Sequence, residues 1–105
     1  MQLIAERTVI FIRDGKTRGR KATLLVYAPI CNDASAWRVN YSLNGPGKHS
    51  LERYVVAIDA LQALQWAIQL MPIELKSFAR ELGGRFVFLD DDDMGFRPLA
   101  LPPGA

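Results

Sequence analysis

Few residues of this 105-residue chain combine the type and the setting that catalysis requires. His49 is the only histidine and lies in a glycine- and proline-rich turn, with no serine or cysteine in a nucleophile-elbow setting to pair with it. Cys31 is the only cysteine and has no nearby base, and such a residue is more often a small buried hydrophobe than a nucleophile. No glycine-rich phosphate-binding motif links a strand to a helix. We therefore expect neither catalytic residues nor a cofactor.

Four consecutive aspartates form the clearest candidate for a metal site. Carboxylate oxygens are the ligands that calcium and magnesium prefer, and Asp90, Asp91, Asp92 and Asp93 supply them without interruption. The spacing argues against a specific site, because adjacent residues of an extended chain point to opposite sides, whereas a calcium loop alternates its ligands around a glycine. A solvated acidic turn after the last strand is the simpler interpretation.

Positive charge accumulates at the tip of one hairpin. Within nine residues the chain carries Arg13, Lys16, Arg18, Arg20 and Lys21, with glycines between them. Flexible basic side chains can lie along phosphates without reading a base sequence, so this tip is a candidate polyanion contact. No aromatic residue alternates with them to stack on bases, and the formal net charge of the chain is only +2. Nucleic acid is therefore an alternative partner, and a solvated turn is the simpler interpretation.

One amphipathic pattern dominates the elements that must position these residues. Large apolar residues recur at spacings of three and four, at Leu61, Leu64, Ile68, Met71, Leu75, Phe78 and Leu82. Asp59 can cap the first free amides of a helix, and Gln62 can reach back as in a capping box. Gly83-Gly84 marks the other end of the helix. Nearby alanines are small enough to let this helix approach a sheet closely.

Pro72 lies in the middle of the predicted helix. It removes one backbone hydrogen bond and crowds the carbonyl of Ile68, at a cost of roughly 3 kcal/mol in a straight helix. Two helices, 59–71 and 72–82, would place Pro72 at a favourable first-turn position. The apolar spacing nevertheless keeps its phase across the proline, so we favour one long, kinked helix.

The rest of the chain favours strands. β-Branched and aromatic residues are frequent before the helix, and turn residues divide that segment. We predict strands over residues 2–13, 21–28, 37–44 and 51–57, with a loop at 32–35 after Pro29, and a fifth strand over 85–89. The expected fold is α+β, a mainly antiparallel sheet of about five strands in the sequence order ββββαβ with the helix packed on one face. The strand order stays open, as does the direction of the last strand relative to its neighbour.

Length and composition favour a single domain over residues 1–105, because half of the residues are hydrophobic and can form one core. Residues 90–105 are expected to form an acidic turn and an extended, proline-rich C-terminal tail. Charged residues interrupt the N-terminal apolar stretch before it reaches the length of a signal peptide. No other apolar stretch approaches the roughly 20 residues that span a bilayer. A single cysteine excludes an internal disulfide. We therefore expect a complete, soluble, cytoplasmic protein without membrane contact.

Short segments of the chain resemble a known family. They are Ile4-Ala5-Glu6-Arg7-Thr8-Val9, Arg13-Asp14-Gly15-Lys16, Tyr27-Ala28-Pro29 and Asp59-Ala60-Leu61-Gln62-Ala63-Leu64. Together they resemble a family of small bacterial proteins catalogued only as a domain of unknown function, over roughly residues 2–70. The resemblance implies a bacterial origin and a shared fold, and it supplies no catalytic or binding residue.

A non-catalytic binding or interaction role is the leading functional hypothesis, because catalytic groupings are missing and charged segments of opposite sign are present. We expect residues 59–71 of the helix to face the sheet. A kink would redirect Leu75, Phe78 and Leu82, with Trp66 or Leu70 beside them, into an exposed apolar patch suited to a protein partner or a homodimer. Nucleic-acid binding through the hairpin tip is one alternative, and neutralisation of a toxin by an immunity-type protein is another.

Overall fold

The computed structural model describes residues 1–33, 35–89 and 94–96, which form one sheet and one helix. The strands are β1 (Leu3–Arg13), β2 (Gly19–Tyr27), β3 (Ile30–Asp33), β4 (Ala36–Asn44), β5 (Ser50–Ala57) and β6 (Gly84–Val87), and the helix α1 (Ala60–Glu81) lies between β5 and β6. Every strand pair is antiparallel. The predicted α+β class, with a helix packed on an antiparallel sheet, is confirmed.

The sheet order follows from the neighbours of β4. β5 pairs with β4 from Trp37 to Asn44 without a break, so β2 and β3, which also pair with β4, must share its opposite side. β3 therefore continues the line of β2, and the order across the sheet is β5-β4-β2-β1-β6. The last strand, β6, pairs antiparallel with β1. That pairing answers the question of direction that the sequence left open.

The predicted loop over residues 32–35 is wrong in part, because the strand β3 extends to Asp33. Proline cannot donate a backbone hydrogen bond, so Pro29 interrupts the ladder, but only locally. Ile30 pairs with Arg38 and Cys31 with Trp37, and a register irregularity follows before Asp33 pairs with Ala36. The sequence therefore contains five strands before the helix rather than four, because pairing resumes directly beyond the proline.

α1 is one unbroken helix with Pro72 inside it, so the prediction of one helix rather than two is confirmed. Its start matches the predicted cap, since Asp59 Oδ1 accepts a hydrogen bond from the Gln62 backbone amide at 2.7 Å. Gln62 Oε1 in turn accepts from the Ile58 amide at 3.2 Å. Gly83 follows the helix with φ +79°, a left-handed conformation that favours glycine and stops the helix.

The buried face of α1 matches the predicted stripe of large residues only in part, because Met71 and Leu75 are buried and the stripe's other members are partly buried or exposed. The residues that the sheet covers are Ala63, Ala67, Met71, Leu75 and Ala79, spaced by four. Leu61 and Ile68, which the sequence assigned to the core, are 67% and 53% exposed. Because the small side chains of Ala63 and Ala67 let the helix backbone approach the sheet closely, the side that carries them turns inward, and Leu61 and Ile68 turn away from the sheet.

The sheet side of this core is formed by alternate residues of the strands. Its buried members include Val9, Phe11, Leu24, Val39 and Leu43, all within one cluster with the helix. α1 begins beside the end of β5 and ends before β6 at the opposite edge, with contacts to β4, β5 and β6. The helix therefore crosses the sheet diagonally. It leaves uncovered the corner formed by the start of β1 and the end of β2.

Candidate functional site

The residues that the sequence offered for catalysis lie apart and exposed. Cys31 is exposed in β3, where its Sγ lies 2.8 Å from the Asp33 carbonyl oxygen. His49 is exposed in the turn between β4 and β5. Among the described residues, no group of three or more histidine, cysteine or acidic side chains could hold a metal ion. The candidate metal ligands Asp90, Asp91, Asp92 and Asp93 lie outside the described residues.

The predicted interaction patch is wrong for most of its members. Leu75 is 2% exposed, and Phe78 and Leu82 are half-buried against the core. The diagonal helix lays its C-terminal part across the sheet towards β6, so these side chains face inward rather than towards a partner. Trp66 and Leu70, which were expected beside the patch, are exposed, to 44% and 38% of their surface.

Exposed apolar residues are instead concentrated in the uncharged segment of α1, residues 60–73. No charged residue occurs there, and the first is Glu74. Its large exposed apolar residues are Leu61, Trp66, Ile68, Leu70 and Ile73. A surface helix normally presents charged side chains opposite its buried face. The run without charge was visible in the sequence, and it is the signal that points to this surface.

One side of the uncharged segment borders a groove over the open corner of the sheet. The groove has a volume of about 370 Å³. Leu64, Ile68 and Met71 form its helix wall, and Ile4 and Val26 belong to its sheet side. Arg7 closes one end of the groove, where its Nη1 donates a hydrogen bond to the Met94 carbonyl oxygen at 2.9 Å.

The guanidinium of Arg7 is held further by two aromatic rings. Its central carbon lies 4.4 Å from the ring centre of Phe88 and 5.4 Å from that of Phe96. These cation–π contacts and the bond to Met94 fix residues 94–96 across the corner. Phe96 therefore supplies an aromatic wall to the groove.

The other side of the uncharged segment faces β5. Glu74 marks this side, because its Oε2 accepts a hydrogen bond from the Tyr41 hydroxyl at 2.8 Å and lies 3.4 Å from Arg53 Nε. Leu70 and Trp66 precede Glu74 by one and two helical turns, so they lie on the same side of α1. Both therefore overhang the outer edge of the sheet.

The contact between Tyr41 and Glu74 fixes the helix and does not activate a phenol. Burial raises the pKa of Tyr41 well above its ordinary value, and the hydrogen bond to the Glu74 carboxylate raises it further. The hydroxyl thus stays protonated and donates to the carboxylate. A phenol with a raised pKa is a poor base or nucleophile near neutral pH.

The sheet presents apolar side chains at the same edge. Tyr54 and Val56 of β5 are exposed on the face away from α1, and Ile58 is exposed just beyond the strand. We call Tyr54, Val56, Ile58, Trp66 and Leu70 the edge band. Within the described part of the chain, β5 pairs only with β4, which leaves the backbone along its outer side unpaired.

A comparison with known protein families identifies the family of this chain. The model of the family described as Domain of unknown function (DUF6968) matches residues 5–98. The chain belongs to this family. The match spans all six strands and the helix, apart from the first two residues of β1. No curated protein matches the chain, and neither does any solved structure.

Membership in DUF6968 confirms the predicted relationship to an uncharacterised family, and the bacterial origin stays a prediction. The family description supplies no site, so the candidate surfaces of this DUF6968 chain rest on their geometry. No helix in the described residues is long and apolar enough to cross a membrane.

The basic residues of the hairpin divide into two groups. Arg13, Lys16, Arg18 and Arg20 line one cavity together with His49. Lys21 does not line it, although it is equally exposed. The sequence identified the charged cluster, but only the fold shows which of its members converge.

Proposed function

We propose that this DUF6968 protein is a non-catalytic protein-interaction module that associates with a second copy of itself through the edge band. The observation that carries the proposal is the juxtaposition of an unpaired strand edge with apolar side chains from both layers of the fold. Large exposed apolar patches mark interaction sites in soluble proteins. An unpaired edge adds a directional element, because its amides and carbonyls can hydrogen-bond to another strand.

The sequence of β5 lacks most of the devices that usually protect an edge strand, although Arg53 places one charge on the helix-facing side. Natural edges are blocked by proline, lysine or a bulge. β5 contains neither proline nor lysine, and its register with β4 runs without a shift from Ser50 to Ala57. Only Glu52 and Arg53 carry charge along the strand. The outer edge of β5 is therefore available to pair with a strand of another chain.

A second copy suits this edge because antiparallel self-pairing closes with two-fold symmetry. With the axis at Val55, Tyr54 of each copy lies opposite Val56 of the other, on the sheet face away from the helices. Aromatic and β-branched side chains form favourable cross-strand pairs. Trp66 and Leu70 of both copies then meet above the joined strands.

The available surface is in the range of a stable dimer. The side chains of the edge band are exposed to between 38% and 71%. With on the order of 200 Å² for a large side chain, they offer on the order of 500 Å² of apolar surface per copy. Specific interfaces bury roughly 800 Å² per partner, so the paired backbone and the polar rim supply the remainder.

Sedimentation of the full chain across a concentration series tests the proposal, and a dimer is expected. Val56→Lys adds a charge to the unpaired edge, and Trp66→Glu adds one to the helix side, so each should shift the protein to monomer. Ile68→Lys is the matched control, because Ile68 is also exposed on α1 but borders the groove. A monomer at every concentration, or equal loss of dimer in the control, would contradict the proposal.

A further inference from the structure

A second concave surface lies at the opposite end of the sheet from the start of β1. It is a cavity of about 340 Å³ between the hairpin of β1 and β2, the end of α1 and the turn after β4. Its charged residues are Arg13, Lys16, Arg18 and Arg20, with His49 beside them. No carboxylate lines it among the described residues. We call it the basic cavity.

Backbone hydrogen bonds hold the hairpin side of the basic cavity in place. The Lys16 amide donates to the Arg13 carbonyl at 3.0 Å, which closes a tight turn after β1. The Asp14 amide donates to the Gly83 carbonyl at 2.9 Å, which fastens this turn to the end of α1. The positions of Arg13 and Lys16 are therefore set by the backbone rather than by a free loop.

The turn after β4 forms the facing wall. The Gly45 amide donates to the His49 carbonyl at 2.7 Å, and the His49 amide donates to the Pro46 carbonyl at 3.2 Å. Gly47 has φ +61°, and a Cβ placed there would lie 3.0 Å from the Nη2 atom of Arg20. The missing side chain thus leaves room for the Arg20 guanidinium against this turn.

Among the described residues, no carboxylate lines the basic cavity to neutralise its charges. None of Arg13, Lys16, Arg18 and Arg20 forms an ion pair with a carboxylate in the part of the chain that the structure describes. The carbonyl end of α1 is equivalent to only about half a negative charge. Four cations around one cavity repel each other, so an anion that enters it is favoured by all four.

We propose that the basic cavity binds a small molecule that carries a diphosphate or triphosphate group. Arginine guanidinium groups bind phosphate oxygens through two parallel hydrogen bonds, and lysine adds a point charge. The volume suits a small ligand, at the lower end of ordinary ligand pockets. Phe11, Pro46 and Leu82 line the same cavity and offer an apolar contact to the remainder of the ligand.

Calorimetric titration of the full chain with pyrophosphate and with ADP, at low salt, tests this inference. Both should bind, and ADP should bind more tightly because it also reaches the apolar residues. Arg18→Ala should weaken both affinities about tenfold, the effect of one lost charged contact. Lys21→Ala removes the same charge from the same hairpin, outside the cavity, and should change either affinity less than twofold.

Three results would overturn the inference. They are the absence of binding to pyrophosphate and ADP, an equal loss in Arg18→Ala and Lys21→Ala, and binding of a random-sequence oligonucleotide without binding of ADP. The last result would favour a nucleic-acid interface. Circular dichroism checks that both variants are folded. Sedimentation of Arg18→Ala distinguishes this site from the edge band, because the variant should dimerise as the wild type does.

Discussion

The uncharged segment of α1 (residues 60–73) and the charged segment that follows (residues 74–81) share one apolar spacing but differ in what they bury. In the charged segment the large apolar Leu75 lies in the core, and polar residues face solvent. In the uncharged segment the sheet covers mainly alanines, and Leu61 and Ile68 face solvent. Apolar spacing locates a helix, whereas the placement of charge indicates which side meets water.

The difference also separates stability from interaction. A buried leucine stabilises the fold through the surface that it removes from water and through close packing. An exposed leucine contributes little to folding, and its place on a segment without charge is consistent with the proposed interaction. The following substitutions test this division along one helix.

Replacing Leu75 by alanine should have the largest effect on stability. Leu75 is 2% exposed, so its truncation leaves a cavity and should lower the free energy of unfolding by about 2–5 kcal/mol. Leu61→Ala is the matched change in the uncharged segment, where Leu61 is 67% exposed, and should cost less than about 1 kcal/mol. Urea denaturation measures both values. Equal losses would contradict the assignment of one leucine to the core and the other to the surface.

Glu74→Ala should have the next largest effect, because it leaves the partly buried Tyr41 hydroxyl without its acceptor. The loss of a hydrogen bond to a charged acceptor costs about 1–3 kcal/mol, and the half-exposed pair with Arg53 adds little. Glu81→Ala, at the exposed end of the same segment, is the control and should change the free energy of unfolding by less than about 0.5 kcal/mol. If both variants lose the same stability, the Tyr41 contact does not fix the helix.

The parts of the fold that the sequence predicted are those that local chemistry decides. Asp59 and Gln62 indicated the start of α1, and Gly83 indicated its end. These signals are visible in the sequence because helix caps are formed by residues that are close together along the chain. Which side of α1 meets the sheet depends on how closely the helix backbone can approach the sheet at Ala63 and Ala67. That distance is set by packing between segments that are far apart in the sequence. The expected exposed patch around Leu75 failed for that reason.

The candidate sites show the same limit. The five basic residues were evident as a charged run, but the separation of Lys21 from the other four needed the alternation of β2 and the turn at Gly47. The edge band was unpredictable for another reason. β5 became an edge only once the order β5-β4-β2-β1-β6 was known, and strand order depends on pairings that periodicity does not encode.

Asp59→Ala tests the anchoring of the uncharged segment and should cost about 1 kcal/mol, because it removes the side-chain acceptor of the Gln62 amide at the first turn of α1. Asp14→Ala is the control, since Asp14 is an exposed aspartate outside the helix, and it should leave the free energy of unfolding almost unchanged. Urea denaturation of the two variants compares them. A cost in Asp14→Ala as large as that in Asp59→Ala would show that the loss reflects negative charge rather than the cap.

The smallest effect is a pH dependence located in the charged segment. Burial and Glu74 raise the pKa of Tyr41 in the folded protein, so its contribution to stability is complete below the ordinary tyrosine pKa of about 10 and is lost as the pH rises above it. The free energy of unfolding of the wild type should therefore fall more steeply above that pH than that of Tyr41→Phe. The difference should stay below about 1 kcal/mol near pH 10.5. Tyr54→Phe, which alters an exposed tyrosine, should keep the steep fall. Parallel slopes for the wild type and Tyr41→Phe would mean that the Tyr41 hydroxyl is not held protonated against Glu74, and the contact that distinguishes the charged segment from the uncharged one would have to be abandoned.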